Sequence, residues 1–226
     1  MSVRRLSLVL VLPAALCLWS SSSRAEEVTE PSSGRRFQTT LTYEGKTYRL
    51  LGVGLRKKFV IKVYAMGLYV EEGGARQAFP SLVSKAGGPE RDKLLEGDRA
   101  QTFVSWGRFS KLGVLQFLRD VDKDKIQGAY RESLEAALSD KAPPELRRDA
   151  EAFVALFDRD VREGQQMRIH TDEEGKITVE VAGQKKEGPK NPQLCRAIWD
   201  IWLGPKPISK EMRRSLVDRI DQFARQ

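Results

Sequence analysis

Residues Tyr48 to Glu71 read YRLLGVGLRKKFVIKVYAMGLYVE, the densest run of β-branched and aromatic residues in the chain. The spacing predicts two strands, 48–54 and 59–70, joined by a basic turn. In the second strand Phe59, Ile61, Val63, Ala65 and Gly67 share one parity. Val60, Lys62, Tyr64, Met66, Leu68 and Val70 share the other. Neither parity is mainly polar, so both faces are expected to be covered, as in a central strand. Gly52, Gly54 and Gly67 interrupt the pattern, which marks a bulge or a close approach by another backbone or a ligand. Arg56 and Tyr64 stand eight positions apart around the turn. A tight turn would bring a guanidinium and a phenol to one cleft. Both groups donate to oxygen, so together they could hold an anionic or enolate-like oxygen.

Upstream, the chain opens with Arg4 and Arg5, then an apolar run from Leu6 to Leu18 that is too short for an ordinary membrane span. Ser23-Arg24-Ala25 offers small residues before a cut ahead of Glu26. Residues 1–25 therefore read as a secretory signal peptide, which implies a periplasmic or extracellular protein with no integral span after cleavage. The alternatives are a retained N-terminal anchor, or a lipoprotein acylated at Cys17, although Leu16 stands there in place of a small residue. The formal net charge is +8. Without Arg4, Arg5 and Arg24 the 39 basic residues fall to 36 against 31 acidic ones, a mature net charge of about +5. These charges are interspersed, so nucleic-acid binding is not indicated. Cleavage also leaves Cys195 as the sole cysteine, which excludes an internal disulfide. Its apolar helical context predicts a buried thiol.

Residues 26–36 (EEVTEPSSGRR) are polar and aperiodic and read as a flexible leader, followed by one domain over 37–224. A hairpin over 37–43 and 46 onward precedes the central strand. A short helix is expected over 75–85, strands over 101–106 and 111–121, and a helix from Asp122. A second helix spans 145–158. Strands over 164–170 and 176–181 flank the acidic turn Asp172–Gly175, with a short third strand at 184–186. Asn191 and Pro192 open a helix to Leu203, and Ser209 caps a last helix with Met212, Leu216, Ile220 and Phe223 as its stripe. Strands, then helices, then a hairpin, then helices, without βαβ alternation, argue for an α+β fold with a largely antiparallel sheet.

The run G-V-G-L-R-K-K-F-V-I-K-V-Y-A-M-G-L-Y-V resembles the entry segment of the chalcone isomerase family. N-P-Q-L-C-R-A-I-W-D-I-W-L-G-P-K-P-I-S (191–209) resembles its closing segment. The likeness extends over about residues 37–224 and is greatest to bacterial members. It implies the chalcone isomerase fold, an open-faced β-sandwich of mainly antiparallel sheet with helices on one face and a cleft between. It also implies that Arg56 matches the arginine with which plant isomerases engage their substrate's oxygen. Tyr64 stands where those enzymes have threonine, and fatty-acid-binding members use an arginine and a tyrosine on a carboxylate. Lys125 corresponds to the family lysine. The asparagine position falls on Ala129 or Tyr130 and the tyrosine position near Asp122, both mismatches. A further polar pair becomes Cys195-Arg196.

His170 is the only histidine and no Cys/His cluster has metal spacing, so neither a metal site nor another cofactor is expected. Nucleophile-elbow, Walker A and dinucleotide fingerprints are missing from the sequence. The residues and the family resemblance together imply three candidate functions. The first is a non-catalytic binder of a small amphipathic acid such as a fatty acid, with Arg56, Tyr64 and Cys195 as its ligand-binding residues. The second is an isomerase of the intramolecular-lyase type, cyclising a chalcone-like enone to a flavonoid-like product with Arg56 as the best catalytic candidate. The third is an envelope structural protein without a ligand.

Overall fold

The computed structural model describes residues 26–223, so the 1–25 segment read as an export signal lies outside the described residues. The polar stretch expected to be a leader is a hairpin, β1 (Glu27–Thr29) paired with β2 (Arg36–Gln38). Two residues that leave no periodic trace organise it. The buried Glu30 carboxylate accepts from the Ser32 and Ser33 amides and the Ser33 hydroxyl, which satisfies the turn. Phe37 is buried against the main sheet.

That sheet has seven strands: β3 (Thr40–Tyr43), β4 (Lys46–Lys58), β5 (Ile61–Glu71), β6 (Lys111–Phe117), β7 (Gln166–Thr171), β8 (Lys176–Val181) and β9 (Gln184–Lys190). They lie in chain order and every neighbouring pair is antiparallel. The basic residues expected in the first turn instead extend β4, and the turn itself is Phe59-Val60. β5 is an interior strand, exposed at Ile61 and Lys62 but covered on both faces from Ala65 to Val70, as its two apolar parities require there. Met66, Leu68 and Val70 join the main core, while Ala65 joins Tyr69, Phe37, Tyr48, Leu50, Leu112 and Val114 in a second cluster.

The β4–β5 register shifts between Leu50 and Gly52, so Leu51 is a bulge whose carbonyl accepts from the Arg219 amide, 2.8 Å away. The bulge changes which face a given parity presents. Leu50 lies in the second cluster, whereas Leu51 lies in the main core, and Gly52 and Gly54 lie under the C-terminal helix.

Three helices, α1 (Glu72–Ala86), α2 (Arg91–Leu95) and α3 (Arg99–Trp106), connect β5 to β6. Two more, α4 (Lys123–Ala137) and α5 (Pro144–Ala155), connect β6 to β7. The chain closes with α6 (Pro192–Leu203), α7 (Lys210–Ser215) and a 3-10 turn at Ile220–Phe223. Two expectations fail here. Residues 101–106 are helical, not a strand, because Ala100, Gln101, Val104 and Ser105 make one buried helical stripe that outweighs a β-prone composition. The last helix is also broken after Ser215, although all four members of its expected stripe are buried. α6 begins and ends where expected, with the Asn191 side chain accepting from the Gln193 and Leu194 amides and Pro192 at the first position. It supplies Trp199 and Trp202 to the core between helices and sheet.

The lone histidine is part of the fold's interior. His170 is buried, its Nε2 lies 2.7 Å from the Tyr48 hydroxyl, and its Nδ1 has no hydrogen-bond partner. Burial lowers its pKa below the ordinary histidine value, against the smaller opposing pull of Glu44. A histidine held neutral stabilises the fold above its unfolded pKa of about 6.5, and that contribution is lost as pH falls toward the depressed folded value. The urea midpoint is therefore expected to drop as pH is lowered from neutral toward 5, with His170→Gln flattening this step. Glu173 is held down to about 2 by Ser110, its own backbone amide and Lys46, so its loss falls at lower pH and stays separate.

Candidate ligand-binding site

Arg56 and Tyr64 are a directly opposed cross-strand pair. The bulge at Leu51 is what turns Arg56 onto the helix-covered face. Both side chains are half-buried. Arg56 Nη1 donates to the Ile208 carbonyl in the loop after α6. A guanidinium has five N–H donors, so most remain for another acceptor. Trp202 Nε1 donates to the Tyr64 oxygen at 3.0 Å, which leaves the Tyr64 proton to be donated elsewhere. Burial pushes the Tyr64 pKa up to about 12, while the Trp202 bond and the Arg56 charge pull the other way. The group is thus a neutral phenol near neutral pH. The pair offers one hydroxyl and several guanidinium donors and no negative charge, a set suited to a carboxylate or other oxyanion.

Around it stands a nest of rings. Tyr64 lies 5.8 Å from Phe117, Tyr130 stacks on Phe157 at 4.3 Å, and Trp202 lies 6.3 Å from Tyr130. Trp202, Tyr130 and the Ile208 carbonyl belong to the site but were not picked out in the sequence as site residues. Tyr130 is one of the two positions, with Ala129, that fall at the family asparagine, and its hydroxyl donates to the Met167 sulfur at 3.7 Å. Two clefts, of about 180 Å³ between α4 and α5 and about 530 Å³ beside the start of α1, do not include Arg56 or Tyr64 in their linings.

The other expected site residues lie elsewhere. Cys195 is not brought to the Arg56–Tyr64 pair. It sits seven residues, roughly 10 Å, back along α6 from Trp202. Its thiol donates to the Gly175 carbonyl at 3.3 Å, and burial pushes its pKa up to about 12. It is buried beside Lys111, which pairs with Val70 at the far end of β5. That end is six residues, roughly 20 Å, from Tyr64. Apolar burial, which the helix pattern indicated, explains Cys195 without a ligand. Lys125 is exposed and ion-paired with Asp122. Among the described residues no group of His, Cys, Asp and Glu side chains could hold a metal ion.

A curated relative, fatty-acid-binding protein 1 of Arabidopsis thaliana, is 26% identical over 226 residues, covering 93% of this chain and 77% of the relative. The crystal structure of an Arabidopsis thaliana fatty-acid binding protein superposes with a TM-score of 0.74 at 22% identity, covering 89% of this chain and all of that one. It shares the α+β architecture of an antiparallel seven-stranded sheet with its helices. The family model described as chalcone isomerase-like matches residues 29–87 and 101–218. By that match, the chain belongs to the chalcone isomerase-like family.

Proposed function

We propose that this protein is a non-catalytic binder of a small amphipathic acid, of which a fatty acid fits best, and that it acts outside the cytoplasm after loss of residues 1–25. The observation that carries the reading is the Arg56–Tyr64 pair, opposed across two strands beside a wall of aromatic side chains. The donors would take the carboxylate. The apolar wall would take the chain, at about 0.8 kcal/mol per buried methylene. Similarity in sequence and in fold to a protein named for fatty-acid binding points the same way. The isomerase reading has less support, because Lys125 is exposed in an ion pair with Asp122 and neither Ala129 nor Tyr130 supplies the family asparagine. The structural reading draws on one observation, that rings and protein hydrogen bonds already occupy the neighbourhood of Tyr64.

The test is native mass spectrometry of the protein purified gently from its own cells, then denaturation to identify released molecules. The expected result is a co-purifying long-chain acid at up to one per chain. An empty protein that also fails to take up added oleate counts against the reading. An enone-cyclisation assay would then decide between the other two.

A further inference from the structure

We propose that the β4–β5 tip is a membrane-docking loop that seats Phe59 and Val60 in the interface of an anionic lipid bilayer. Phe59 is 89% exposed, Val60 91% and Ile61 47%, a contiguous apolar tip at the turn of a long hairpin. Neither packing nor backbone geometry accounts for these residues. Phe59 has φ 58, whereas the first position of a two-residue hairpin turn with positive φ is normally glycine, asparagine or aspartate. A bulky aromatic residue held in that conformation, facing solvent, gains nothing in the folded protein alone.

The charges around the tip select the partner. Lys57 and Lys58 precede it, both exposed and without an ion-pair partner among the described residues. Lys62 follows, its ammonium donating to the Ser32 carbonyl. The Leu118 amide bonds the Val63 carbonyl, which places exposed Arg119 at the same end of the sheet. Exposed Lys206 and Lys210 flank Ile208, the residue that Arg56 grips. Of the acids at this end, Asp120 is paired with Arg162, exposed Glu163 sits beside it and exposed Glu211 follows Lys210, so cations outnumber them around the tip. An apolar point ringed by cations matches a bilayer interface with anionic headgroups. Three apolar residues on a convex tip fall far short of the roughly 800 Å² per partner that a stable protein interface buries. The proposal does not depend on acid binding. It adds to that reading, since Arg56 lies three residues, roughly 10 Å, behind Phe59 and would then sit near headgroup level.

The experiment places an environment-sensitive nitrobenzoxadiazole dye on Val60→Cys and mixes the protein, as isolated from its own cells, with vesicles. Wild-type protein carried through the same labelling gives the background, because Cys195 is buried. The expected result is a blue shift and brightening with phosphatidylglycerol–phosphatidylcholine vesicles, much weaker with phosphatidylcholine alone. In vesicle sedimentation the unlabelled double variant Phe59→Asn, Val60→Ser should bind roughly tenfold or more weakly. Lys57→Gln and Lys58→Gln should each cost about fivefold on the anionic vesicles. Asparagine tolerates positive φ, so the double variant is expected to fold, as circular dichroism would show. The proposal is overturned if the dye stays in water while the protein sediments, or if the double variant binds like wild type. It is equally overturned if the dye shifts without vesicles as protein concentration rises, which would mark a second copy of the chain as the partner.

Discussion

Gly52→Val is expected to leave the chain unable to reach its native state, and Gly52→Ala to cost more than about 3 kcal/mol in urea denaturation. A Cβ on Gly52 would lie 2.1 Å from the Ser215 carbonyl oxygen, 2.6 Å from the Leu216 carbonyl carbon and 2.8 Å from its oxygen. All three are backbone atoms, so no rotamer change relieves the overlap. α7 and its following turn cannot simply retreat, because Met212, Leu216 and Val217 are buried in the main core and the Arg219 amide is bonded to the Leu51 carbonyl. The control is Gly128→Ala in α4, where a Cβ would meet nothing within 4 Å. Removing a helical glycine there should raise stability by about 0.5–1 kcal/mol. If Gly52→Ala unfolds at the wild-type midpoint, the close contact of β4 with α7 is not what requires glycine.

The same glycine shows how far the sequence could be read. The interruption of an apolar strand by Gly52 and Gly54 indicates a bulge or a close approach, and both occur within three residues. Which face Arg56 takes was not legible. Tyr48, Leu50 and Arg56 share a parity, and an unbroken strand would put Arg56 with the second cluster, on the face opposite Tyr64. The bulge at Leu51 reverses that, and its position depends on how α7, more than 150 residues later, meets β4. Long-range contact also hid the rest of the site. Trp202 reads as one more apolar residue of α6, and only the folded chain brings its indole to Tyr64. Cys195 sits on the same helix, and its resemblance to a polar family position carried no information about its burial beside Lys111. The β1–β2 hairpin escaped because it rests on one buried carboxylate and one aromatic ring, and alternation cannot register either. Where the pattern is dense and local, as in β5 from Ala65 to Val70 and in α6, the reading of strand, face and cap matched the fold.

Arg56→Ala is expected to weaken binding of a long-chain acid by more than about a hundredfold while lowering stability only modestly. The two effects have different origins. Arg56 gives one N–H to the Ile208 carbonyl, and loss of a hydrogen bond from a charged donor costs about 1.5–3 kcal/mol of stability, less at a half-buried site. The ligand would lose its only paired cation within an apolar setting, about 3 kcal/mol or more of binding. Arg56→Lys keeps the charge but not the planar fork, so it should retain an intermediate affinity. Lys57→Ala, one position on and exposed, should bind like wild type. Chain length separates head from tail. Each added methylene that is buried should strengthen binding by about 0.8 kcal/mol, nearly fourfold, and by the same factor in wild type and Arg56→Ala. Parallel dependences on chain length, displaced by a constant amount, would assign the carboxylate to Arg56 and the tail to the aromatic wall. Coincident ones would mean that Arg56 does not hold the acid. Its role would then be the bond to Ile208, which ties the loop after α6 to β4, and the ligand-free structural reading would gain the support that the packed rings around Tyr64 already lend it.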